Sequence, residues 1–171
     1  SNRAPVITSN GGGDAASVNF AENTSIATAV TTVTSTDADA GDTKSYSIYG
    51  GADASLFQIN ASTGALTFKS SPNYENPIDA DRNNVYDVRV MVADSKGATD
   101  TQTLSVVVTN VNDNTPVISS DGGGATASIS VPQLTTAVTK VTSTDADAGD
   151  VVSYSITGGA NSALFSIDAS T

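Results

Sequence analysis

The chain has 171 residues with 18 acidic and 7 basic side chains, a formal net charge of −11, and neither cysteine nor histidine. The acidic balance argues against a nucleic-acid partner and against an anionic membrane surface, because both are recognised by basic footprints. Disulfides, zinc sites built on thiolate or imidazole, and histidine-dependent catalytic triads are excluded within this chain. The chain also has no apolar run of about 20 residues, so no membrane insertion of this segment is expected.

Short strands separated by turns are predicted along the first copy of an internal repeat that is described below. Val, Thr and Ser are abundant, and no stretch has a convincing helical period. The predicted strands are residues 18–20, 29–33, 46–48, 57–59, 65–68, 85–92 and 103–108. Residues 60–64 predict a hairpin loop with a permissive glycine at its end. This spacing of short strands is typical of an all-β sandwich.

The chain repeats itself with an offset of about 110 residues. Residues 34–42 recur without change as 142–150, and Pro5-Val6-Ile7 recurs as Pro116-Val117-Ile118. This period is too long for a solenoid and matches tandem globular domains. The second copy has no counterpart of residues 64–108. We therefore expect a complete domain at 1–113 and the N-terminal half of a second at 114–171, which is truncated or completed by strands from another chain.

Oxygen-bearing side chains are concentrated in loops, which is where calcium ligands are usually found. Calcium takes six to eight oxygen ligands from carboxylates, amides and backbone carbonyls. The segments that offer such oxygens are 21–23, 73–75, 110–114, and the Asp-Ala-Asp triplets 37–39 and 145–147. Each segment alone indicates little, since an Asp-x-Asp turn is more often a self-capping loop.

Together and in this order, the segments resemble the motifs of cadherin repeats, particularly of the bacterial cadherin-like type. Ala21-Glu22-Asn23 resembles the family's Pro-Glu-Asn element, and Asn73-Tyr74-Glu75 resembles its Asp-Arg-Glu or Asp-Tyr-Glu element. Val92-Ala93-Asp94 with Gly97 is similar to the Ala-x-Asp-x-Gly turn, and residues 112–116 match the Asn-Asp-Asn-x-Pro linker. The resemblance covers the first copy and half of the second, and it implies an Ig-like Greek-key β-sandwich in tandem repeats.

The resemblance further implies calcium ions (Ca²⁺) at the junction between the two repeats. The ligands that it implies are Glu22 and Glu75 of the first repeat, Val111, Asn112, Asp113 and Asn114 of the linker at about 110–115, and Asp145 and Asp147 of the second repeat. Asn73 and Asn110 stand where the family has acidic residues. We therefore expect weaker binding, or fewer ions than the three usual in the family.

Two further groups of acidic residues have weaker indications. Asp37, Asp39 and Asp94 match the family's ligands for a junction with a preceding repeat, and we expect a weak half-site there. Asp79 and Asp81 lie in a polar loop that is either a separate calcium loop or an ordinary turn. An EF-hand is excluded for this loop, because the glycine and the closing glutamate are missing.

The resemblance implies a calcium-binding module of a secreted or cell-surface protein, of bacterial origin. Ions at the junction are expected to stiffen a tandem array for cell adhesion, including homophilic adhesion, or for matrix and biofilm attachment. The expected partners are neighbouring repeats, surface proteins or polysaccharide. The alternative is a calcium-dependent polysaccharide-binding module, for which Tyr49 and Tyr74 are the only candidate rings at loop edges. Catalysis is not expected, because the acidic residues lie in loops and not in a cleft lined by aromatic residues.

Overall fold

A computed structural model describes all residues of the chain, from Ser1 to Thr171. The chain divides into two compact units, Ser1–Val111 and Asn112–Thr171. The division falls two residues before the boundary predicted between 113 and 114. The strands of unit 1 are β1 (Val6–Ile7), β2 (Ala15–Ala21), β3 (Thr31–Thr32), β4 (Ser35–Thr36), β5 (Lys44–Gly50), β6 (Phe57–Ile59), β7 (Ala65–Phe68), β8 (Val85–Asp94) and β9 (Thr99–Thr109).

The strands of unit 1 form the two layers of a sandwich. One sheet has four strands in the order β2-β9-β8-β5, with β2 parallel to β9 and the other neighbours antiparallel. The other layer contains the three-stranded sheet β3-β7-β6 and the pair β1-β4. Because β1 pairs with β4 while β2 pairs with β9, the glycine-rich segment between β1 and β2 carries the chain from one layer to the other. The predicted all-β sandwich is confirmed.

Alternation along β8 and β9 builds most of the core of unit 1. Tyr86, Val88, Val90 and Val92 are at most 1% exposed and share one face of β8, as the sequence predicts. Leu104, Val106 and Val108 share one face of β9 and are at most 2% exposed. Three aromatic rings fill the space between the sheets, with centroids 4.4 Å apart for Phe57 and Phe68 and 5.2 Å apart for Phe68 and Tyr86. Hydrophobic burial therefore accounts for the fold of unit 1.

The hairpin β6-β7 confirms the predicted loop at residues 60–64. Phe57 pairs with Phe68 and Ile59 with Leu66, and Gly64 closes the loop with a φ of +76°. Only glycine fits here, because a Cβ atom on Gly64 would lie 2.1 Å from the backbone oxygen of Val33.

Unit 2 contains little regular structure. Its two strands, β10 (Val117–Ile118) and β11 (Ser143–Thr144), form one short antiparallel pair that repeats the β1-β4 pairing. Large apolar side chains are exposed, with Leu134, Val151 and Leu164 at 100%, 95% and 81%. The physical reason is that residues 112–171 hold no counterpart of β7, β8 and β9, the strands that cover the equivalent positions in unit 1.

The helical segments are three-residue 3₁₀ turns, at Asn10–Gly12, Ala54–Leu56 and Ser162–Leu164. None of them has the length or the apolar character needed to cross a membrane.

Candidate metal centre

Glu22 is a buried carboxylate at the end of β2 and is 2% exposed. The backbone N–H of Glu22 still continues the pairing of β2 with β9 by donating to the oxygen of Thr109 at 3.1 Å. Its Oε2 accepts a hydrogen bond from the N–H of Tyr74 at 2.7 Å, and its Oε1 accepts one from the N–H of Val111 at 2.8 Å. The side chain therefore connects three separate segments of unit 1.

Glu75 brings a second carboxylate to the same place, since oxygens of Glu22 and Glu75 lie within 4.8 Å of one another. Two carboxylates at this distance repel each other unless a cation or a proton neutralises them. Asn73, which replaces an acidic residue of the family pattern, uses its Oδ1 to accept a hydrogen bond from the N–H of Asn76 at 2.8 Å. The donor set consists of oxygen alone, which suits calcium and not zinc.

Unit 2 gathers its own carboxylates beside the linker residues. Oxygens of Asp145, Asp147 and Asp150 lie within 4.8 Å of one another. Asp147 is 3% exposed, and its N–H donates to Oδ1 of Asp145 at 2.9 Å, so the Asp-x-Asp triplet also caps its own turn. Asp150 was missed in the motif comparison, although it ends the nine-residue segment that recurs without change.

The linker residues of unit 2 bind these acids. The N–H of Asn114 donates to Oδ2 of Asp147 at 2.8 Å, and its side-chain amide donates to Oδ1 of Asp147 at 2.9 Å and to Oδ1 of Asp113 at 2.7 Å. The side-chain amide of Asn112 donates to Oδ2 of Asp150. Of the residues expected as ligands, Asn112, Asp113, Asn114, Asp145 and Asp147 therefore lie within unit 2, and Glu22, Glu75 and Val111 within unit 1.

A second acidic cluster lies in unit 1, and its membership differs from the expected half-site. Oxygens of Asp37, Asp42 and Asp94 lie within 4.8 Å of one another, whereas Asp39 is not part of this group. Asp39 instead contacts Arg3, whose guanidinium lies 3.0 Å from its Oδ1. The N–H of Asp39 donates to Oδ1 of Asp37 at 2.8 Å, which is the same turn that Asp145 and Asp147 form.

Basic and amide groups set the electrostatics of this second cluster. The pKa of Asp39 is held below its usual value, chiefly by the hydrogen bond from the N–H of Arg3 and further by its guanidinium. Desolvation alone would raise the pKa of Asp94, but hydrogen bonds from Asn2, Ala98 and Lys96 outweigh it and lower that pKa. The pKa of Lys96 is raised by its hydrogen bond to Asp42. All three shifts favour the charged form of the group.

The loop with Asp79 and Asp81 has its oxygens engaged in local turns. Asp79 is 3% exposed and accepts hydrogen bonds from the N–H groups of Asn83 at 2.8 Å and Asn84 at 3.2 Å. Asp81 accepts one from the side-chain amide of Asn83 at 2.8 Å, and the pKa of Asp81 is raised by its hydrogen bond with Asp79. These contacts fit the interpretation as a polar turn.

The two tyrosines considered for sugar binding differ in exposure. Tyr49 is 60% exposed on β5, and the guanidinium of Arg89 lies 5.5 Å from the centre of its ring. Tyr74 is partly buried and packs against the core of unit 1. Only one of the two rings therefore offers an open face.

Comparison with known proteins identifies the family. The model of the cadherin domain matches residues 16–109, which is more than half of the chain. The chain belongs to the cadherin family. Human protocadherin Fat 1 is 35% identical to this cadherin chain over 157 residues, covering 88% of the chain and 3% of the relative. Cadherin-related family member 1 of Gallus gallus is 33% identical over 159 residues, covering 88% of the chain and 17% of the relative.

Solved structures of cadherins have the same fold. A structure of protocadherin gammaB7 EC3-6 superposes with a TM-score of 0.80 at 26% identity, covering 99% of this chain and 42% of that chain. Human protocadherin-24 EC1-2 superposes with a TM-score of 0.73 at 25% identity, covering 99% and 77%. The predicted cadherin-like sandwich is thereby confirmed. These named relatives are animal proteins, and the bacterial origin expected from the sequence stays a prediction.

Proposed function

We propose that this cadherin chain is a calcium-stiffened adhesion module of a secreted or cell-surface protein. Calcium ions bind the oxygens that each unit gathers around the linker, and ions shared by the two sets hold consecutive repeats in a stiff array. The ligands are Glu22, Glu75 and the backbone of Val111 from unit 1, with Asn112, Asp113, Asn114, Asp145 and Asp147 from unit 2. The array then presents its repeats to other surface proteins. The module itself performs no catalysis.

The observation that carries this proposal is the buried carboxylate of Glu22, bonded to Val111 and lying beside Glu75. A buried charge is costly unless it is paired, so a pair of acidic groups in this place favours a bound cation. The hydrogen bonds of Glu22 use one lone pair on each oxygen, and a carboxylate has about four acceptor positions in all. The Glu22 carboxylate therefore keeps acceptor positions that can bind a metal ion.

A second line of support comes from the linker in unit 2. Asn114 donates two hydrogen bonds to Asp147, so the linker and the Asp-x-Asp turn are joined in one small polar cluster. Three acidic groups in this cluster again require a cation or protons to relieve their repulsion. Val111, whose N–H bonds Glu22, and Asn112, whose amide bonds Asp150, are consecutive residues of the linker.

Calcium is expected to stabilise the full chain against heat. At a calcium concentration of about 100 times Kd, binding to the folded state adds about 2.7 kcal/mol, or on the order of 10 °C in Tm for a domain of this size. The test compares melting curves in EDTA and in 10 mM calcium chloride. X-ray scattering in the same two solutions is expected to give a more elongated particle with calcium.

Glu22→Gln tests the site itself. This variant keeps the side-chain volume and removes the charge, so the difference in Tm between calcium and EDTA is expected to fall to less than half. Asp14→Asn is the matched control, because it makes the same change of charge at an exposed position and is expected to keep the full difference. Superposable wild-type curves in EDTA and calcium, or a full calcium effect in the Glu22→Gln variant, would contradict the proposal.

The polysaccharide alternative has less support in this chain. Sugar platforms usually use several exposed aromatic rings, whereas Tyr74 is packed against the core and Tyr49 is covered on one side by Arg89. Binding of this chain to a glycan array in calcium, lost in a Tyr49→Ala variant, would favour the alternative over adhesion between proteins.

A further inference from the structure

The second acidic cluster of unit 1, formed by Asp37, Asp42 and Asp94, lies beside two basic side chains, those of Arg3 and Lys96. We call it the N-terminal pole, defined as residues 2–3, 37–42 and 94–96. The repeat aligns Pro5 with Pro116, so that Arg3 occupies the position of Asn114. The nine residues 34–42, which include the acidic segment 37–42, are identical to residues 142–150 of the second copy. Any difference in cation binding must therefore come from the residues around the triplet.

Arg3 and Asn114 bind the equivalent aspartates in the same way. The N–H of Arg3 donates to Oδ2 of Asp39 at 2.5 Å, as the N–H of Asn114 donates to Oδ2 of Asp147 at 2.8 Å. The side chain of Arg3 donates from Nε to Oδ1 of Asp39 at 3.1 Å, as the amide of Asn114 donates to Oδ1 of Asp147 at 2.9 Å. The geometry is conserved between the copies, but the donor in unit 1 carries a positive charge.

Lys96 supplies a second cation to the N-terminal pole. Its ammonium lies 3.0 Å from Oδ1 and 3.2 Å from Oδ2 of Asp42, whose side chain is only 6% exposed. Asp42 belongs to the group of three carboxylates with Asp37 and Asp94, so the ammonium contacts the group that offers oxygens to a metal ion. Unit 2 has one basic residue, Lys140, which precedes the triplet in the chain.

We propose that Arg3 and Lys96 are resident counter-cations that decide the cation specificity of the N-terminal pole. They occupy the oxygens of Asp39 and Asp42 and neutralise two of the four acidic side chains of the pole. A calcium ion that enters the group of Asp37, Asp42 and Asp94 must displace Lys96 from Asp42, and it is repelled by the charges of both Lys96 and Arg3. The N-terminal pole therefore stays ordered without calcium and binds it poorly, while Asp147 of the same triplet in unit 2 accepts its hydrogen bonds from the neutral Asn114 where Asp39 accepts them from Arg3.

The test is a calcium titration of the ¹⁵N-labelled full chain, monitored by the amide signals of Gly41, which lies in the N-terminal pole, and of Gly97, which follows the pole residue Lys96. The double variant R3N/K96A gives the pole the neutral partner of unit 2 and removes the ammonium. We expect the amide signals of the variant to shift and saturate with calcium. The calcium concentration at the midpoint is expected to be at least tenfold lower for the variant than for the wild-type chain. The control R89N/K69A loses the same two charges at exposed positions elsewhere and is expected to behave like the wild type.

Two results would overturn the inference: equal midpoints for wild type and R3N/K96A at Gly41 and Gly97, or no saturating shift in the variant up to 50 mM calcium.

The side chains of Arg3 and Lys96 are 64% and 55% exposed, so the variant is expected to fold, and its circular dichroism is recorded in parallel. A second variant, R3K, keeps the charge and is expected to keep the wild-type response. The amides of Tyr74 and Val111 report separately on the linker site, so a failure of the proposed function is distinguishable.

Discussion

Gly64 and Gly11 both have positive φ angles, but the space around them differs. Gly64 has a φ of +76°, and a Cβ atom there would meet the backbone oxygen of Val33 at 2.1 Å. Gly11 has a φ of +81°, and a Cβ atom would meet nothing within 4 Å. At one position glycine is required by dihedral angle and by packing, and at the other by dihedral angle alone.

Alanine substitutions at these two glycines are expected to separate the cost of the positive φ angle from the cost of the steric contact. Gly11→Ala places a side chain at positive φ and is expected to lower the free energy of unfolding by about 1 kcal/mol. Gly64→Ala must also move the β3-β4 segment and is expected to cost about 3–5 kcal/mol. Urea unfolding measures both variants. An equal loss of unfolding free energy in the two variants would show that the contact with Val33 is relieved without cost.

Gln102 joins strand β9 to the segment that crosses between the layers. The side chain is fully buried, and its amide donates to the backbone oxygens of Ser9 at 3.1 Å and Gly13 at 2.8 Å. Its Oε1 accepts a hydrogen bond from the side chain of Asn10 at 3.2 Å, and Asn10 in turn accepts one from the hydroxyl of Thr31. A polar residue in the period-2 apolar face of β9 thus satisfies backbone groups that no strand pairing reaches.

The substitution Gln102→Leu keeps the volume but removes the hydrogen bonds to the Gly13 carbonyl and from the Asn10 amide, while the Ser9 carbonyl still accepts one from the N–H of Gly12. Buried groups that lose their hydrogen bonds cost about 1–3 kcal/mol each, and partial hydration is expected to limit the total to about 2–4 kcal/mol. Thermal or urea unfolding of unit 1 measures this loss. Thr103→Leu, the exposed neighbour on the same strand, is the control and is expected to stay within about 0.5 kcal/mol of wild type. A Gln102→Leu variant as stable as the control would refute the role of the network.

The two units are expected to differ in protection from hydrogen exchange. Unit 1 has long paired strands over an apolar core, while unit 2 has one two-residue pair and exposes Leu134, Val151 and Leu164. Local stability follows buried apolar contacts and protected hydrogen bonds.

Amide hydrogen exchange of the full chain measures this difference in protection between the two units. Amides of β8 and β9 are expected to exchange slowest, with protection that approaches global unfolding. Amides of β10 and β11 are expected to exchange at least a hundredfold faster. Similar protection in the two units would mean that residues 112–171 bury more apolar surface in solution than this structure describes.

Most of the fold could be predicted from the sequence because its signals are local. The alternation of Tyr86, Val88, Val90 and Val92 has the period of a strand, and the segment was found buried on that face. Residues 60–64 predicted the hairpin in the same way. Strand lengths were underestimated, since β2 begins at Ala15 and β9 at Thr99, in segments of small or polar residues that pair in the sheet through their backbones.

The candidate sites could be predicted only in part. The resemblance to the family's motifs predicted Glu22, Glu75, Asp145 and Asp147 as ligands. The grouping of Asp42 with Asp37 and Asp94, and of Asp39 with Arg3, could not be inferred from spacing. In a turn, the direction of each carboxylate depends on hydrogen bonds that form only after the chain has folded.

The amino-acid sequence by itself determined the strands, the duplication and the oxygen-rich character of the loops, because these depend on neighbours within a few residues. Tertiary structure decided which acidic side chain faces which cation. Arg3 meets Asp39 across 36 positions and Lys96 meets Asp42 across 54, and only the packing of the sheets brings such distant residues together. Charge interactions act through space and not along the chain, so two identical nine-residue segments acquire different electrostatic surroundings.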